Sequence, residues 1–390
     1  MYLISHSIFF IVDVVIPKKE GIYIIASHLG IVGNARFLSD YILENGNADK
    51  KIYIYSLRNE TRSTDHYFEE RYKERLTIIK KRGFKALCIA LQAKYIFVSH
   101  DVIRDVGFPL GSLKNRRVIV NLWHGIATKK HWLTEKQVCT NHSSKAKQFS
   151  KIVASSAVDA IAKAATFHKS LEDVWITGNP RNDILIGKNN LPRDLLQQEL
   201  DLFELTNGKS LILYAPTWRS YQHHFQPFDD NSMGNLICML NKYNAVLGLR
   251  LHEKDELKFK KLYQIYPNIL NLGQRKFPET QLLLKNAQVL VTDYSSIWLD
   301  YLLTDNPIIA FWYDFDCYYE KRGTLWDLAQ LFPGEKVKNC NELINAIDNA
   351  LSRDIGDKDK QQYNFVKSLF HKYTDGKNAE RVAKKVGQVD

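Results

Sequence analysis

Val289-Leu290-Val291-Thr292-Asp293-Tyr294-Ser295-Ser296-Ile297-Trp298-Leu299-Asp300-Tyr301-Leu302-Leu303 runs from a short β-branched stretch through a polar turn into an apolar stretch of helical length. Strand, turn and helix in that order are part of a βαβ unit, whose parallel sheet is covered on both faces. A helix starting at this turn leaves its first N–H groups without intrahelical partners, and its dipole adds about half a positive charge. Those N–H groups, the Ser295 and Ser296 hydroxyls and the adjoining Asp293 form a candidate diphosphate cradle. A plain helix cap is worth about 1 kcal/mol and needs one polar residue; the turn from Thr292 to Ser296 supplies several.

The same alternation extends in both directions. Ile22-Tyr23-Ile24-Ile25, Ile52 to Ser56, Tyr95 to Ser99, Val118 to Leu122, Ile152 to Ala154 and Val174 to Thr177 are compact apolar runs. Helical patterns separate them, such as Asn34 to Glu44 and Phe68 to Lys80. A polar break follows at Gly187-Lys188-Asn189-Asn190-Leu191-Pro192. A second series then begins, with Leu211 to Tyr214, Ala245 to Arg250, Ile269 to Leu272, Val289 to Thr292 and Ile308 to Phe311, and Lys360 to Val386 reads as helical. A chain of 390 residues with 45% hydrophobic content exceeds one ordinary core. The expectation is two doubly wound, Rossmann-like α/β domains, residues 1–187 and 188–390, with strand ends facing a central cleft. Ligand sites favour such interfaces.

The formal net charge of +11 calls for an anionic partner, although clusters such as Lys50-Lys51 and Lys384-Lys385 serve equally well to solvate helices. Cys88, Cys139, Cys238, Cys317 and Cys340 lie far apart, which argues against a disulfide framework or a structural zinc site. No metal spacing occurs among the histidines, and His223-His224 reads as an adjacent pair in a polar loop. Met1 to Ile16 is apolar but shorter than the roughly 20 residues that span a bilayer. It reads as a helix packing on the body or lying on a membrane, with Lys18-Lys19 suited to anionic headgroups. No later segment reads as transmembrane.

Two further turns carry imidazoles. Val118-Ile119-Val120-Asn121-Leu122-Trp123-His124-Gly125 ends a strand on a histidine, and Gly125 permits a sharp turn or a close ligand. With an ordinary pKa near 6.5, His124 there can take a proton from an attacking hydroxyl at neutral pH. The other reading is a structural histidine. Arg250 and His252, two apart at the end of the next domain's second strand, project to one face as a phosphate clamp. A salt bridge to Glu253, Asp255 or Glu256 is the alternative.

Three loops complete the set. Gly178-Asn179-Pro180-Arg181-Asn182-Asp183 offers Asn179 and Arg181, Ala215-Pro216-Thr217-Trp218-Arg219 offers Thr217 and Arg219, and Arg322-Gly323-Thr324-Leu325-Trp326-Asp327 offers Arg322 and Asp327. No Walker A motif, G-x-G-x-x-G or G-x-S-x-G is present, which lowers the case for an ATPase, dehydrogenase or α/β-hydrolase. Nothing resembles a nucleic-acid-reading module.

In this order, the Trp123-His124-Gly125, Gly178-to-Asp183, Tyr214-to-Arg219, Arg250-Leu251-His252, Thr292-to-Ser296 and Arg322-to-Gly334 stretches resemble the CDP-glycerol glycerophosphotransferases of teichoic acid and capsule synthesis. The resemblance runs from about Ile22 to Gly334, and the Ser27 to Asn34 loop also fits. It implies a glycosyltransferase-B-like architecture, with residues 1–187 on the acceptor side and 188–390 on the donor side. It further implies CDP-glycerol as donor substrate, no cofactor or metal, and transfer of glycerol phosphate to a hydroxyl with release of CMP. The implied acceptor is a lipid-linked saccharide or poly(glycerol phosphate) at the cytoplasmic face of the membrane, with an anionic membrane surface and no nucleic acid as partner. His124 matches the proposed general base, His252 the histidine near the donor diphosphate, and Ser295 and Ser296 the phosphate-binding turn. Glu253 stands where the family usually has proline, and the first loop lacks the doubled glycine. A CDP-ribitol transferase, a sugar-nucleotide transferase of the same architecture and a basic membrane-associated binding protein stay open as alternatives.

Overall fold

Seven apolar runs pair in parallel to form the first sheet: β1 (Lys19–Ala26), β2 (Lys51–Ser56), β3 (Leu76–Lys80), β4 (Ala93–Val98), β5 (Val118–Asn121), β6 (Lys151–Ala154) and β7 (Val174–Ile176). Their order is β3-β2-β1-β4-β5-β6-β7. Successive side chains on a strand point to opposite faces, and both faces are filled. Ile24, Ala26, Ile96, Val98 and Ile119 enter one buried cluster, while Tyr23, Ile25, Tyr95, Phe97 and Val120 enter another.

A second parallel sheet has six strands: β8 (Ser210–Ala215), β9 (Ala245–Leu249), β10 (Ile269–Asn271), β11 (Ala287–Thr292), β12 (Ile308–Phe311) and β13 (Glu335–Val337). Their order is β10-β9-β8-β11-β12-β13. The computed structural model describes residues 2–28, 30–46, 51–56, 63–114, 116–135, 141–187, 191–219, 228, 230–352 and 357–387. His223-His224, Cys139, Lys50 and Lys188 to Asn190 of the break at 187–192 lie outside them.

The chain forms two compact units, each built on one of these sheets, as the sequence implies. The first comprises Met1–Gly125, His131–Asp183 and His371–Asp390; the second comprises Ile126–Lys130 and Ile184–Phe370. Several details differ from the sequence expectation, among them Ile126–Lys130, which joins the second unit although residues 1–187 are expected to form the first. Phe68 to Lys80 is not one helix: a helix ends at Arg71 and β3 begins at Leu76, where Thr77-Ile78-Ile79 extends along β2. Lys360 to Val386 divides into the helices Asp357–Phe370 and Asn378–Val386. The second of these belongs to the first unit, because Val382 and Val386 bury in its core and the Asp183 carboxylate accepts the Asn378 and Ala379 N–H groups at 2.9 Å each. Burial sets that helix's place, and burial raises the Asp183 pKa to about 6 despite those two bonds.

The amino-terminal helix, Tyr2–Val15, is anchored at its carboxyl end. Asp13 accepts from Arg117 at 2.6 Å and from Lys18 at 3.0 Å, and Lys18 also donates to Leu91 O. Lys18 is therefore turned inward and unavailable to headgroups, contrary to the sequence expectation. Phe9 packs on the core, whereas Phe10, Ile11 and Val15 are exposed. Among the described residues no helix is long and apolar enough to cross a membrane.

Candidate functional site

Within the first unit, the loops at the carboxyl edge of β1, β4 and β5 carry His28, His100 and His124, each two or three residues beyond its strand. Those strands are adjacent in the sheet, so the imidazoles form a row. His28 and His100 meet edge to face at 5.6 Å between centroids, and His100 lies parallel to His124 at 6.2 Å. His131 joins the group through Trp123, at 6.2 Å. Among the described residues, no three His, Cys, Asp or Glu converge to hold a metal ion.

The backbone that presents His124 is pinned on several sides. Trp123 adopts φ +50°, a conformation uncommon for a bulky residue and retained where the surroundings over-determine it. Its N–H donates to Asn121 Oδ1, while Asn121 Nδ2 donates to His100 O. Asn34 Nδ2 donates to the Leu122 and Trp123 carbonyls, and its Oδ1 accepts the Arg181 N–H. Arg181 in turn donates to His124 O at 2.6 Å. The Trp123 indole is buried against Phe167 and lies 4.1 Å from the His124 ring. His124 itself keeps accessible surface. Desolvation nonetheless lowers its pKa well below 6.5, with the charges of His100, His131, Arg181 and Lys163 acting in the same direction. The ring is thus neutral at pH 7 and able to accept a proton.

Two carboxylates orient the other imidazoles. Asp105, fully buried, accepts the Ser99 and His100 N–H groups at 2.7 Å each, the His28 N–H at 2.9 Å, and His28 Nδ1 at 3.0 Å. Asp101 accepts the Arg104 N–H as a helix cap and lies 3.2 Å from His100 Nδ1. Nearby, Asn179 is buried with neither side-chain polar atom hydrogen-bonded. Gly178, at φ +79°, is required because a Cβ there would meet the Asn378 amide at 2.0 Å.

The second unit's carboxyl edge is organised around an arginine. Arg219, 6% exposed, forms a bidentate pair with Asp314 at 2.6 and 2.8 Å, meets Asp293 at 2.9 Å and donates to Thr217 O. Desolvation opposes its charge, but Asp293 and Asp314 more than offset this and raise its pKa. Asp293 also accepts the Thr217, Tyr294 and Ser295 N–H groups. Arg219 and Asp293 therefore hold this loop from inside. The helix after the turn is short, Ile297–Tyr301, and Ser295 Oγ accepts its Ile297 N–H. The cradle's N–H groups are thus partly occupied, while the Ser295 and Ser296 side chains remain half-buried.

Arg250 is likewise engaged by its own chain, donating to Leu272 O, Phe277 O and Thr280 Oγ1. Burial lowers its pKa to about 10. His252, exposed, stacks on Trp218 at 5.1 Å, and its Nδ1 accepts the Lys254 N–H at 3.3 Å. A backbone N–H only donates, so in this tautomer the ring proton sits on Nε2. The salt-bridge alternative is not what holds His252 here. Asp327 caps a short helix through the Ala329 and Gln330 N–H groups.

Lys129, in the sequence a basic neighbour of the His124 turn that favours a functional reading of it, is itself a functional candidate. It comes from Ile126–Lys130, bound into the second unit through Leu325 N to Thr128 O and Trp326 Nε1 to Ala127 O. Its Nζ lies 3.2 Å from Thr217 Oγ1. Desolvation lowers its pKa to about 8, with Asp293 opposing and Arg322 and Arg219 reinforcing the shift. The only sequence signal was its place directly after the Trp123-His124-Gly125 turn.

Residues 7–388 match the family described as CDP-Glycerol:Poly(glycerophosphate) glycerophosphotransferase. The chain is 26% identical to the teichoic acid poly(ribitol-phosphate) polymerase of Bacillus spizizenii, over 95% of this chain and 57% of that protein. It is 25% identical to the teichoic acid glycerol-phosphate transferase of Staphylococcus aureus, over 98% of this chain and 97% of that one. The chain spans less than two thirds of the length of the ribitol-phosphate polymerases it matches. The wall teichoic acid polymerase TagF shares the fold, with a TM-score of 0.77 at 17% identity over 95% of this chain and 89% of that chain; TagF has also been soaked with CDPG. With a match that covers nearly its whole length, this chain belongs to the CDP-glycerol:poly(glycerophosphate) glycerophosphotransferase family.

Proposed function

We propose that the protein transfers glycerol phosphate from CDP-glycerol to a hydroxyl of a lipid-linked saccharide or poly(glycerol phosphate) acceptor, in teichoic acid or related capsule synthesis. An acceptor hydroxyl gives its proton to His124 while its oxygen attacks the phosphorus that bears glycerol. A phosphodiester forms, the bond to the CMP phosphate breaks, and CMP departs. His252, with its proton on Nε2, donates to an oxygen of the departing phosphate. Lys129, Arg322, Thr217, Ser295 and Ser296 supply charge and hydroxyls to the diphosphate, the electrostatic contribution such transfers chiefly require. Arg181 positions His124 through its carbonyl, Gly125 gives the turn its room, and Asn179 awaits a polar partner. Arg219, Asp293, Arg250 and Asp327 shape the donor loops.

The family match over residues 7–388, together with a neutral imidazole on a pinned turn, carries this reading. CDP-ribitol is the second reading, because three matched relatives are ribitol-phosphate polymerases. We further place the enzyme on the inner membrane surface. The exposed Phe10, Ile11 and Val15 offer an apolar face to lipid, and Lys147 lines a cavity of about 190 Å³ with Phe9 and Phe10.

The deciding experiment measures CMP release from CDP-glycerol, CDP-ribitol and UDP-sugars with lipid-linked disaccharide and glycerol-phosphate primers. Acceptor-dependent CMP from CDP-glycerol is expected. CMP only from CDP-ribitol would change the donor, and release of UDP or CDP would replace the reaction with sugar transfer.

A further inference from the structure

The first sheet changes direction between β1 and β4: β2 and β3 extend from β1 on one side, and β5 to β7 extend from β4 on the other. In open α/β sheets the loops that diverge at such a point leave a crevice at the carboxyl ends of the strands, where ligands bind. The loops here are those of His28, after β1, and His100, after β4. Each histidine is backed by a buried aspartate belonging to the β4 side, Asp105 and Asp101. Asp105 already accepts three backbone N–H groups, so it is a carboxylate that accepts from His28 Nδ1 and does not donate to it. The same logic applies to Asp101, which caps Arg104 N and has Lys145 at 3.5 Å. Both rings therefore carry a proton on Nδ1, and in the neutral form Nε2 is the accepting atom.

We propose that His28 and His100 hold the hydroxyl-bearing end of a polyol-phosphate acceptor at this switch point, their Nε2 atoms accepting from its hydroxyls. The assignment rests on the transferase reading above and deepens it. An accepting nitrogen suits a hydroxyl and not a phosphate oxygen, which has no proton to give. His100 lies parallel to His124, 6.2 Å away, so a polyol held by the pair has its terminal hydroxyl beside the base. Buried carboxylates fix both rings before the acceptor arrives, which lowers the ordering cost of binding.

Two measurements test this. In the first, His28→Phe and His100→Phe keep the ring volume and remove the nitrogens; His28→Gln restores an accepting group. The acceptor KM is expected to rise about tenfold in each Phe variant, to recover partly in His28→Gln, and to leave the donor KM unchanged. In the second, ¹⁵N-histidine-labelled protein is titrated with a synthetic glycerol-phosphate trimer. His28 and His100 are expected as Nδ1–H tautomers whose Nε2 signals move on binding. Acceptor KM values within twofold of wild type in both folded Phe variants, or Nε2 signals that stay fixed as trimer is added to excess, overturn the proposal. Absence of CMP release by the wild-type protein counts against the transferase reading instead, and the titration still reports whether the trimer meets these two rings.

Discussion

The two carboxyl edges of this chain use the same ingredients to opposite ends. At the first, between β1 and β4, buried carboxylates hold imidazoles by Nδ1, leaving Nε2 as acceptor. At the second, between β8 and β11, the carboxylates of Asp293 and Asp314 are occupied by Arg219 and by loop N–H groups. Among the described residues, the imidazole of that unit is His252, held by a backbone donor, so its Nε2 presents a proton. One edge is arranged to receive a proton and the other to give a hydrogen bond to an anion. Those are the two demands of phosphoryl transfer, acceptor deprotonation and stabilisation of the leaving phosphate. What decides the roles of His28, His100 and His252 is the Nδ1 partner, a feature that residue type alone does not carry.

The hardest way to break this contrast is to remove His124. His124→Ala should lower turnover by about 10²–10⁴ with the donor KM retained. Because desolvation holds its pKa well below 6.5, kcat at saturating acceptor in the wild type should stay level as pH falls through 6.5. A pH–rate profile with an acid limb at or above 6.5 would transfer the base to another imidazole of the row. Arg219→Met tests the other side. It removes the cation that neutralises buried Asp293 and part-buried Asp314, leaving Asp293 to loop N–H groups, and breaking such a pair from one side costs about 3–5 kcal/mol. Urea unfolding should show that loss; a midpoint equal to wild type would return Arg219 to the role of a direct phosphate ligand. Next in size is His252→Phe, which keeps the stack on Trp218 and removes the Nε2–H. Loss of one such donor should reduce kcat by about 10²–10³ while the acceptor KM holds. A kcat within twofold of wild type would end the contrast between the edges.

Much of the fold was legible in the sequence because its central strands are buried on both faces and read as unbroken apolar runs. β3 and β13 were hidden for different reasons. Leu76–Lys80 adjoins a charged helical stretch, and Glu335–Val337 is a three-residue edge strand with two charged side chains. The carboxyl-terminal helix was legible as a helix, but its return to the first unit depends on Asp183 and on core space that only the folded chain defines. At the site, the turn that bears His124 stood out through its glycine and its place after a strand. His28 and His100 did not, because each is a lone histidine until the strand order makes β1, β4 and β5 neighbours. Arg219, Asp293, Arg250 and Asp327 were visible as polar loop residues, but sequence spacing does not reveal that their partners lie within their own chain.

Lys129 offers the finest adjustment of the comparison, because it gives the second edge a titration of its own. Its pKa is lowered from 10.5 to about 8, first by desolvation and then by Arg322 and Arg219. Below pH 8 the ammonium is present and attracts a diphosphate; above pH 8 the neutral amine dominates and the attraction fades. The donor kcat/KM should therefore fall as pH rises through about 8, while the acceptor KM, set at the other edge, should not follow it. Lys129→Arg keeps its charge throughout this range and should flatten the fall. Lys129→Met should raise the donor KM about tenfold at pH 7 and by less at pH 9, where the wild type has already lost its charge. Equal effects at the two pH values would show that Lys129 packs the loop through its stem, and that the charge at this edge comes from Arg322 alone.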